Sequence, residues 1–360
     1  MTTTLTQAGG DRDRPARSTM KDVAQLAGVS VKTVSRVVNG EAGASVEVRE
    51  RVLRAAERLD YRHNLGASTL RRKDSRSGIV GALLQDVGNS FSAGLLRALE
   101  DSLREAGLSV LAASLDEEPE RERGIVADLV ARRADGLVLM PASRRHEYLV
   151  SEQRAGLPLV FVDRRPHGLD CDSVTVDNVL GATRATAHLI EGGHRRVAML
   201  SDLEEIETAQ ERIAGYRAAL AAAGLELDPS LLVPSVRGEE DASRVVAKLL
   251  ALPDPPTAFV TGRNTLTIGA VRALRSAGLS HQIALVGFDD FPTADLVEPA
   301  LTVIRQDVQR IGAEVGRLLL DRLDGAAGPP KHLVLEPSLV RRGSGEITAP
   351  GRPRTAARSD

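Results

Sequence analysis

Several residue types that usually mark a particular class of protein are scarce in this 360-residue chain. It contains one cysteine, Cys171, no tryptophan and only 2% aromatic residues. A single cysteine excludes an internal disulfide framework and fits a reducing compartment. No apolar run reaches the length of a membrane span, and residues 1–18 have no apolar signal core. These absences predict a cytoplasmic protein with no membrane partner and a charged, disordered tail over 1–18.

Catalytic and cofactor motifs are also missing. The seven histidines are scattered, no HExxH or CxxC occurs, and no P-loop or GxGxxG follows a predicted strand. We therefore predict no catalytic residue, no metal site and no cofactor. A sugar-modifying enzyme is the alternative, because carboxylates in a cleft can resemble a glycosidase pair. Turnover of a candidate sugar would favour that alternative.

The charge is distributed unevenly along an almost neutral chain. Residues 1–76 carry 15 Lys and Arg against 9 Asp and Glu, whereas the remainder carries 32 against 40. A basic N-terminal segment on an acidic body is typical of a protein that offers one end to a polyanion.

A pair of short helices joined by a glycine turn is predicted within the basic segment. The stretch "TMKDVAQLAG" places Thr19 as the N-cap of a first helix whose apolar residues share one face. Gly28 then permits a tight turn, and Ser30 caps a second helix. Helix, turn and helix is an arrangement that reads DNA, with the start of the second helix at the base edges.

The second helix, within "VSVKTVSRVVNG", has two different faces. At about 100° per residue, Val34 and Val37 fall on one arc, whereas Lys32 and Arg36 lie opposite them. Val31 lies at the edge of the polar side, where a core helix would gain little from a valine. A helix that lies against DNA explains this pattern, and an ordinary helical hairpin with a solvated face is the alternative.

A third helix is predicted from Ser45 to near Tyr61, and the pattern changes at Gly78. From there, short apolar runs alternate with amphipathic segments of helical length, which is typical of parallel sheets covered on both faces. The repeat pauses near residue 170, where "LDCDSVTVDN" joins two strands without a helix. This indicates two α/β lobes side by side, followed by a small closing strand, "HLVLEPSLV".

Two such lobes place their strand ends around a shared cleft, because ligands bind beyond the carboxyl ends of strands in open parallel sheets. Polar residues follow or lie near these ends at Asp86, Asp163, Asn264 and Asp289, and Arg212 opens a helix nearby. An Asp after a strand commonly caps the next turn, which is the alternative for each residue alone. Together they favour a site for a polar small molecule.

From about Thr19 to Arg342 the chain resembles the LacI/GalR family of transcriptional repressors. The stretch "MKDVAQLAGVSVKTVSRVVNG" is similar to the highly specific head signature of that family. In the body, "VDNVLGATRATAHLIEGGHRRVAML", "ERIAGYRAAL", "LVGFDD" and "LTVIRQD" are similar to its motifs in the right order. The resemblance implies a body of the periplasmic-binding-protein type, with a sugar or other small metabolite in its cleft.

For the head, the resemblance implies that Val31, Lys32 and Arg36 read base edges. Arg36 would address a guanine, and Val31 would contact a thymine methyl. Other positions match phosphate contacts, which orient the head and specify little. The residues at these phosphate positions are Thr19, Ser30, Thr33, Ser35 and Asn39.

The segment "NLGASTL" resembles the hinge helix of the family, which is too short to be helical alone and folds on operator DNA. The resemblance implies that Leu70, with Ala67 beside it, enters the minor groove and kinks the site. Packing of Leu70 between head and body is the alternative. Two departures are His63 for a common proline and Ser68 for a common arginine, and the basic residues at 71–73 partly compensate for the lost cation.

For the cleft, the resemblance implies effector contacts from five residues. Carboxylates and an amide suit the hydroxyl groups of a polyol, arginine donates to its oxygens, and an aromatic ring covers an apolar sugar face. The residues at these positions are Phe91, Asp163, Arg212, Asn264 and Asp289.

Two secondary candidates depart from the family pattern. Ser92 replaces a common second aromatic, and Arg237 falls near a stacking aromatic of some members. The arginines Arg237 and Arg263 favour an acidic or phosphorylated effector as a further hypothesis. The absence of tryptophan argues against a long oligosaccharide stacked on rings.

We therefore predict a dimeric, ligand-controlled repressor with a small all-α helix-turn-helix head and an α/β two-lobed, periplasmic-binding-protein-like body. Its partners would be double-stranded palindromic operator DNA, a sugar-like effector and a second copy of the chain. An effector in the cleft would shift the lobes and the spacing of the hinges. An extracytoplasmic transport receptor shares the body fold, but the DNA-reading head argues against it.

The predicted domain boundaries follow the changes of pattern. They are a tail over 1–18, a helix-turn-helix domain over 19–63, a hinge and linker over 64–76, a body over 77–342 and a disordered tail over 343–360. Within the body, lobe 1 is predicted over 77–170 and 305–330, and lobe 2 over 171–304.

Overall fold

The structure, a computed structural model, describes residues 18–38, 42–61 and 76–350. The chain divides into two compact units, a head up to Ser77 and a body from Gly78. Within the described residues, no helix combines the length and the apolar character needed to cross a membrane.

The head is a three-helix unit around a small aliphatic core. Its helices are α1 (Met20–Ala27), α2 (Val31–Val38) and α3 (Val46–Arg58). This core contains one completely buried valine from each helix: Val23 of α1, Val34 of α2 and Val52 of α3. Gly28 joins α1 to α2 with a φ of 64°, a left-handed conformation that glycine adopts without strain. The predicted helix, glycine turn and helix are confirmed.

One sheet of the body contains six parallel strands in the order β11-β5-β4-β3-β1-β2. These strands are β1 (Ile79–Leu84), β2 (Ser109–Ser114), β3 (Gly136–Leu139), β4 (Leu159–Val162), β5 (Asp172–Val176) and β11 (His332–Leu335). The helices of this lobe are α4 (Ser90–Arg104), α5 (Pro119–Ala131), α6 (Val150–Arg154) and α11 (Val308–Leu323). We call this sheet and its helices lobe 1.

The other sheet has the order β12-β10-β9-β8-β6-β7, in which only the β10–β12 pair is antiparallel among the described strands. Its strands are β6 (Val197–Leu200), β7 (Leu232–Val233), β8 (Ala258–Thr261), β9 (Ala284–Phe288), β10 (Thr302–Arg305) and β12 (Ser338–Val340). The helices of this lobe 2 are α7 (Asn178–Glu191), α8 (Glu207–Ala222), α9 (Gly238–Leu250) and α10 (Asn264–Ser276). The two sheets repeat one topology, with β1 to β5 equivalent to β6 to β10.

The cores of both lobes lie between the sheets and their covering helices. Every residue of β3, β4, β8 and β9 is buried, which explains their continuous apolar sequences. Cys171 is also a buried core side chain, and burial raises the pKa of its thiol to about 12. The predicted α/β two-lobed body is confirmed.

The structure corrects the predicted division between the lobes. β5 pairs with β4, so lobe 1 continues to residue 176 instead of ending at 170. The predicted closing strand is two strands, because β11 pairs with β5 in lobe 1 and β12 pairs with β10 in lobe 2. Pro337, which has no N–H to donate to a ladder, lies between them where the chain changes lobe. Pairing partners are a tertiary property that the local apolar pattern does not report.

The predicted C-terminal tail at 343–360 also begins too early. Ser344–Glu346 forms a short 3-10 turn in which Ser344 is buried. The Ser344 hydroxyl donates to the Leu285 carbonyl at 2.6 Å and accepts from the Thr302 amide at 2.9 Å. These bonds attach the segment to the sheet of lobe 2. Predictions on 1–17, 62–75 and 351–360 lie outside the described residues.

Candidate functional sites

The outer face of α2 carries the three side chains predicted to read bases. Val34 and Val37 anchor the inner face of the helix in the head core. On the other side, Lys32 and Arg36 are exposed, and Val31 is 39% exposed. The first turns of α2 therefore present one valine and two cations away from the core, in the pattern that the sequence predicted.

Hydroxyl groups predicted to contact phosphate lie at the N-termini of α1 and α2. The Asp22 carboxylate accepts from the amide and the hydroxyl of Thr19, both at 2.7 Å. The Thr33 amide donates to the Ser30 hydroxyl at 3.1 Å, which caps α2. Ser35 is half-buried on α2. Backbone N–H groups at helix N-termini favour anions, so the capping residues lie where a phosphate would be bound. The predicted contacts Asn39, Ala67 and Leu70 lie outside the described residues.

A polar pocket lies between the two lobes of the body, at the carboxyl ends of both sheets. All five main effector candidates and Ser92 contribute to its wall. Lobe 1 supplies Phe91, Ser92 and Asp163, and lobe 2 supplies Arg212, Asn264 and Asp289.

Two other polar candidates are not part of the wall. Arg237 is exposed at the start of α9, where its backbone N–H donates to Asp241. It lies after β7, the edge strand of its sheet, and does not line the pocket in this closed arrangement, so its contact with an effector stays a prediction. Asp86 accepts from the Gly88 amide at 2.8 Å and stabilises a turn.

Asp163 and Asp289 occupy equivalent positions in the two lobes. Asp163 directly follows β4, Asp289 directly follows β9, and their φ angles are 69° and 70°. The Asp163 amide donates to the Val174 carbonyl of β5, and the Asp289 amide donates to the Ile304 carbonyl of β10, the equivalent strand of the other lobe. Left-handed backbone at a non-glycine residue is uncommon and concentrates at functional sites. The repeated topology therefore brings to one pocket two carboxylates whose backbone is left-handed.

Burial controls the electrostatics of these carboxylates. Burial raises the pKa of Asp163 to about 6, against the attraction of Arg164 and Arg212. It also raises the pKa of Asp289, against the attraction of Arg212 and a hydrogen bond from Gln306. Arg212 thus lies within electrostatic reach of both.

Three contacts hold the Arg212 guanidinium in place. Its Nε donates to Asn178 Oδ1 at 2.8 Å, and its Nη1 donates to the Gly262 carbonyl. The guanidinium carbon lies 3.9 Å from the centroid of the Phe288 ring. A buried, stacked guanidinium with fixed orientation can donate to a ligand at little further entropic cost.

Two further arginines at the pocket are neutralised within their own lobes. Arg164 donates to both oxygens of Glu117, at 2.7 and 2.6 Å. Arg263 forms an ion pair with Asp202 at 2.9 Å. Among the described residues, Arg212 is therefore the pocket arginine without a carboxylate at ion-pair distance. Arg164 Nε also lies 3.7 Å from Asp163 Oδ2. The wall thus has three arginines and four carboxylates, and this excess of carboxylates suits hydroxyl donors better than an anion.

An amide pair connects the lobes across the pocket. Asn89 Nδ2 donates to Asn264 Oδ1 at 2.9 Å, and Asn264 Nδ2 donates back to Asn89 Oδ1 at 3.0 Å. Asn89 also caps α4 by accepting from the Phe91 amide. In this closed arrangement the pocket has about 50 Å³ of open space, far less than the several hundred Å³ of a typical ligand site. A sugar-sized ligand therefore requires the amides to separate.

Sequence reasoning missed part of the pocket wall. The missed side chains follow the carboxyl ends of strands or lie near them. A search of every polar residue near a predicted strand end would have found these side chains. They are Gln85, Asn89, Glu117, Arg164, Asp202, Thr208 and Gln306. Gln306 Oε1 is buried and has no hydrogen-bond partner among the described residues.

Comparison with known proteins links these two sites. The family described as bacterial regulatory proteins, lacI family, matches residues 19–64, and the periplasmic binding protein-like domain matches residues 186–345. The HTH-type transcriptional regulator CelR of Thermobifida fusca is 34% identical over 92% of this chain and 100% of its own length. The ribose operon repressor of Haemophilus influenzae is 31% identical over 91% of this chain and 98% of its own length.

Solved structures show the same relationship. The complex of the transcriptional regulator CelR with cellobiose has a TM-score of 0.67 and 32% identity, and the match covers 91% of this chain and 100% of that one. The lac repressor dimer bound to operator and an anti-inducer has a TM-score of 0.78 and 26% identity, over 91% of this chain and 99% of that one. The similarity spans both the head and the body, and the chain therefore belongs to the lacI family of bacterial regulatory proteins.

Proposed function

We propose that this protein is a sequence-specific repressor that binds a palindromic operator as a homodimer and responds to a small, neutral, sugar-like effector. The observation that carries the proposal is the presence, in one lacI-family chain, of an exposed Val31–Lys32–Arg36 face and a polar pocket between two lobes. Such a regulator acts in the cytoplasm, where it has access to DNA.

On the operator, Arg36 donates to the O6 and N7 atoms of a guanine, and Lys32 addresses a guanine or a phosphate. Val31 contacts a thymine methyl, for which its exposed position on α2 is suited. Thr19 and Ser30, at the helix N-termini, contact phosphates and set the orientation of the head. The symmetry of a dimer makes the two half-sites inverted copies.

The effector proposal follows from the charges of the pocket. The carboxylates of Asp163 and Asp289 accept from ligand hydroxyls, the fixed Arg212 donates to ligand oxygens, and Phe91 covers an apolar ring face. Because Arg263 is neutralised by Asp202, the structure gives no support to the hypothesis of an acidic effector. The cellobiose complex of the relative CelR supports a sugar.

Control of DNA binding follows from the position of the pocket between the lobes. A ligand that replaces the Asn89–Asn264 bonds with its own contacts changes the preferred separation of the lobes. A ligand shifts a conformational equilibrium only by its difference in affinity for the two states. The effector therefore acts by selecting one arrangement of the lobes.

Footprinting on the DNA that flanks its own gene, with and without a panel of sugars, tests this proposal. We expect protection of a palindrome, and a change in protection with one member of the panel. Absence of protection under every condition would contradict the proposal, and turnover of a sugar would favour the enzyme alternative.

A further inference from the structure

A loop at the end of lobe 1 opposite the effector pocket carries two adjacent arginines. Arg132 and Arg133 follow α5 and precede β3, so they lie at the amino end of the sheet, whereas the pocket lies at its carboxyl end. Both residues are exposed, and neither guanidinium forms a hydrogen bond or an ion pair with another described residue. We call this pair the basic loop. It is a local positive surface on a body that is acidic overall.

The backbone of Arg133 is unusual for its position. Its φ is 59°, in the left-handed region, and it is the second residue after the end of α5. Five other helices of the body have a glycine with positive φ at this same position: Gly156, Gly193, Gly224, Gly278 and Gly325. Glycine ends a helix in this way without the steric cost that an arginine bears. The fold alone therefore favours glycine at 133, and an arginine there indicates a use for its side chain.

The internal repeat of the body provides a comparison. In lobe 2, α9 and β8 are equivalent to α5 and β3, and the two residues after α9 are Ala251 and Leu252. Leu252 packs against the core of its lobe. The shared topology is thus formed without a cation in this loop. Lobe 1, which has the two arginines, is the lobe that the chain enters from the head.

Stabilisation of α5 is the alternative use for the basic loop. A cation near the C-terminus of a helix interacts favourably with the helix dipole, and α5 has no basic residue in its last turn. One arginine in an ordinary conformation would be sufficient for this purpose. The second arginine and its left-handed backbone therefore indicate a ligand outside the body.

Hydrogen bonds fasten the basic loop to the point where the chain enters the body. The Gly78 amide donates to Asp135 Oδ2 at 2.7 Å, and the Asp135 amide donates to the Ile79 carbonyl at 2.7 Å. Residues 62–75 can span at most roughly 50 Å, at about 3.5 Å per residue. DNA held by the head is therefore tethered to this end of lobe 1, and the tether raises the concentration of phosphate groups around the loop.

We propose that Arg132 and Arg133 bind the sugar-phosphate backbone of the operator that the head of the same chain holds. A guanidinium presents a planar fork of donors that matches phosphate oxygens. These contacts are independent of base sequence, so they add to affinity and not to base specificity. The inference rests on the proposed function, because it requires an operator bound by the head.

The salt dependence of DNA binding by the full-length protein tests the inference. The probes are the palindrome protected in the footprint and a mixed-sequence duplex, titrated by fluorescence anisotropy between about 50 and 200 mM salt. The variants are Arg133→Gly, Arg133→Lys and Arg132→Ala. Arg275→Ala is the control, because Arg275 is an exposed arginine in the last turn of a lobe 2 helix, α10, and forms no ion pair with another described residue.

Each phosphate contact contributes about 0.9 to the slope of log affinity against log salt, and a dimer has two copies of each arginine. Arg133→Gly and Arg132→Ala should therefore each make the slope shallower by about 2, so that the loss of affinity is about tenfold greater at 50 mM than at 200 mM salt. Arg133→Lys keeps the charge and should keep the slope, and Arg275→Ala should change nothing. The Tm of Arg133→Gly should not fall, because glycine adopts a φ of 59° without strain.

The possible failures are distinguishable. An unchanged slope in both Arg133→Gly and Arg132→Ala overturns the inference and leaves the proposed function standing. A loss of affinity without a change of slope also overturns it, because the arginines would then act through contacts within the protein. The same change of slope in Arg275→Ala would assign the effect to net charge and overturn it as well. If the wild-type protein binds neither DNA probe, the proposed function fails together with the inference.

Discussion

Replacement of Asp163 by Asn is expected to stabilise the body at neutral pH and to weaken effector binding. The side chain is 9% exposed, and burial raises the pKa of its carboxyl from 3.8 to about 6. Asn has nearly the same shape and tolerates the φ of 69° at this position. The change therefore removes a buried charge without creating a cavity.

The sign of the effect follows from the raised pKa. Below about pH 3.8 the carboxyl is protonated in both the folded and the unfolded protein, so it has no cost. As the pH rises from 3.8 to 6, the unfolded chain loses its proton first and the folded state becomes relatively less stable. Above pH 6 the destabilisation of the folded state is complete. Each pH unit between the two pKa values contributes about 1.4 kcal/mol, so the destabilisation reaches about 3 kcal/mol.

Scanning calorimetry of the wild type and the variant at pH 8 and pH 4.5 measures this difference. We expect the Tm of the body transition to rise by roughly 6 °C at pH 8, at about 2 °C per kcal/mol for a unit of this size. At pH 4.5 the same linkage leaves about one third of the gain. Asp116→Asn is the control, because Asp116 is exposed and also has a positive φ, and its ion pair with Arg121 contributes at most about 1 kcal/mol.

Two results would refute this reasoning. One is an unchanged Tm at pH 8, and the other is an equal gain at both pH values, which would assign the effect to packing instead of charge. A variant that gained stability and kept full effector affinity would separate Asp163 from the proposed effector site. Stabilisation with loss of function is expected where a buried group serves a ligand.

Three further substitutions test the two sites separately. Arg36→Ala should weaken operator binding by about 1–3 kcal/mol, at one base pair of each half-site, in a binding assay with single-base operator variants; a uniform loss across all variants would contradict base reading. Arg212→Lys keeps the positive charge but loses the planar guanidinium with its fork of donors. Operator affinity should persist, while effector affinity, measured by titration, should fall at least about tenfold. An unchanged effector response would exclude this site. Asn89→Ser keeps a cap for α4 and removes the amide pair with Asn264. Effector affinity should therefore rise about three- to tenfold, because a ligand no longer has to break these bonds to enter. A fall in affinity would show that Asn89 itself binds the ligand.

The head could be predicted from the sequence nearly in full. Helical periodicity alone separates the buried Val34 and Val37 from the exposed Lys32 and Arg36, and Gly28 marks the turn. These features are local, because capping and amphipathicity depend on residues a few positions apart. The predicted role of Val31 needed the resemblance to the family as well, because helical periodicity assigns no function to an exposed valine.

The pocket shows which properties of this protein the sequence determined by itself and which depended on the tertiary structure. Continuous apolar strands followed by polar residues were sufficient to predict two lobes, and Asp163, Asn264 and Asp289 at the cleft. Only the fold decided that β5 belongs to lobe 1. Only the fold brought Asn89 to Asn264, 175 positions apart.

The same holds for charge. The sequence shows that arginines lie near the cleft, but only the structure pairs Arg164 with Glu117 and Arg263 with Asp202. These pairs give no support to the further hypothesis of an acidic effector, and the polyol that the sequence already favoured stays the proposed ligand. The physical reason is that hydrophobic periodicity reports which face of a segment is buried, whereas ion pairs and strand partners are set by the packing of segments that are distant in the chain.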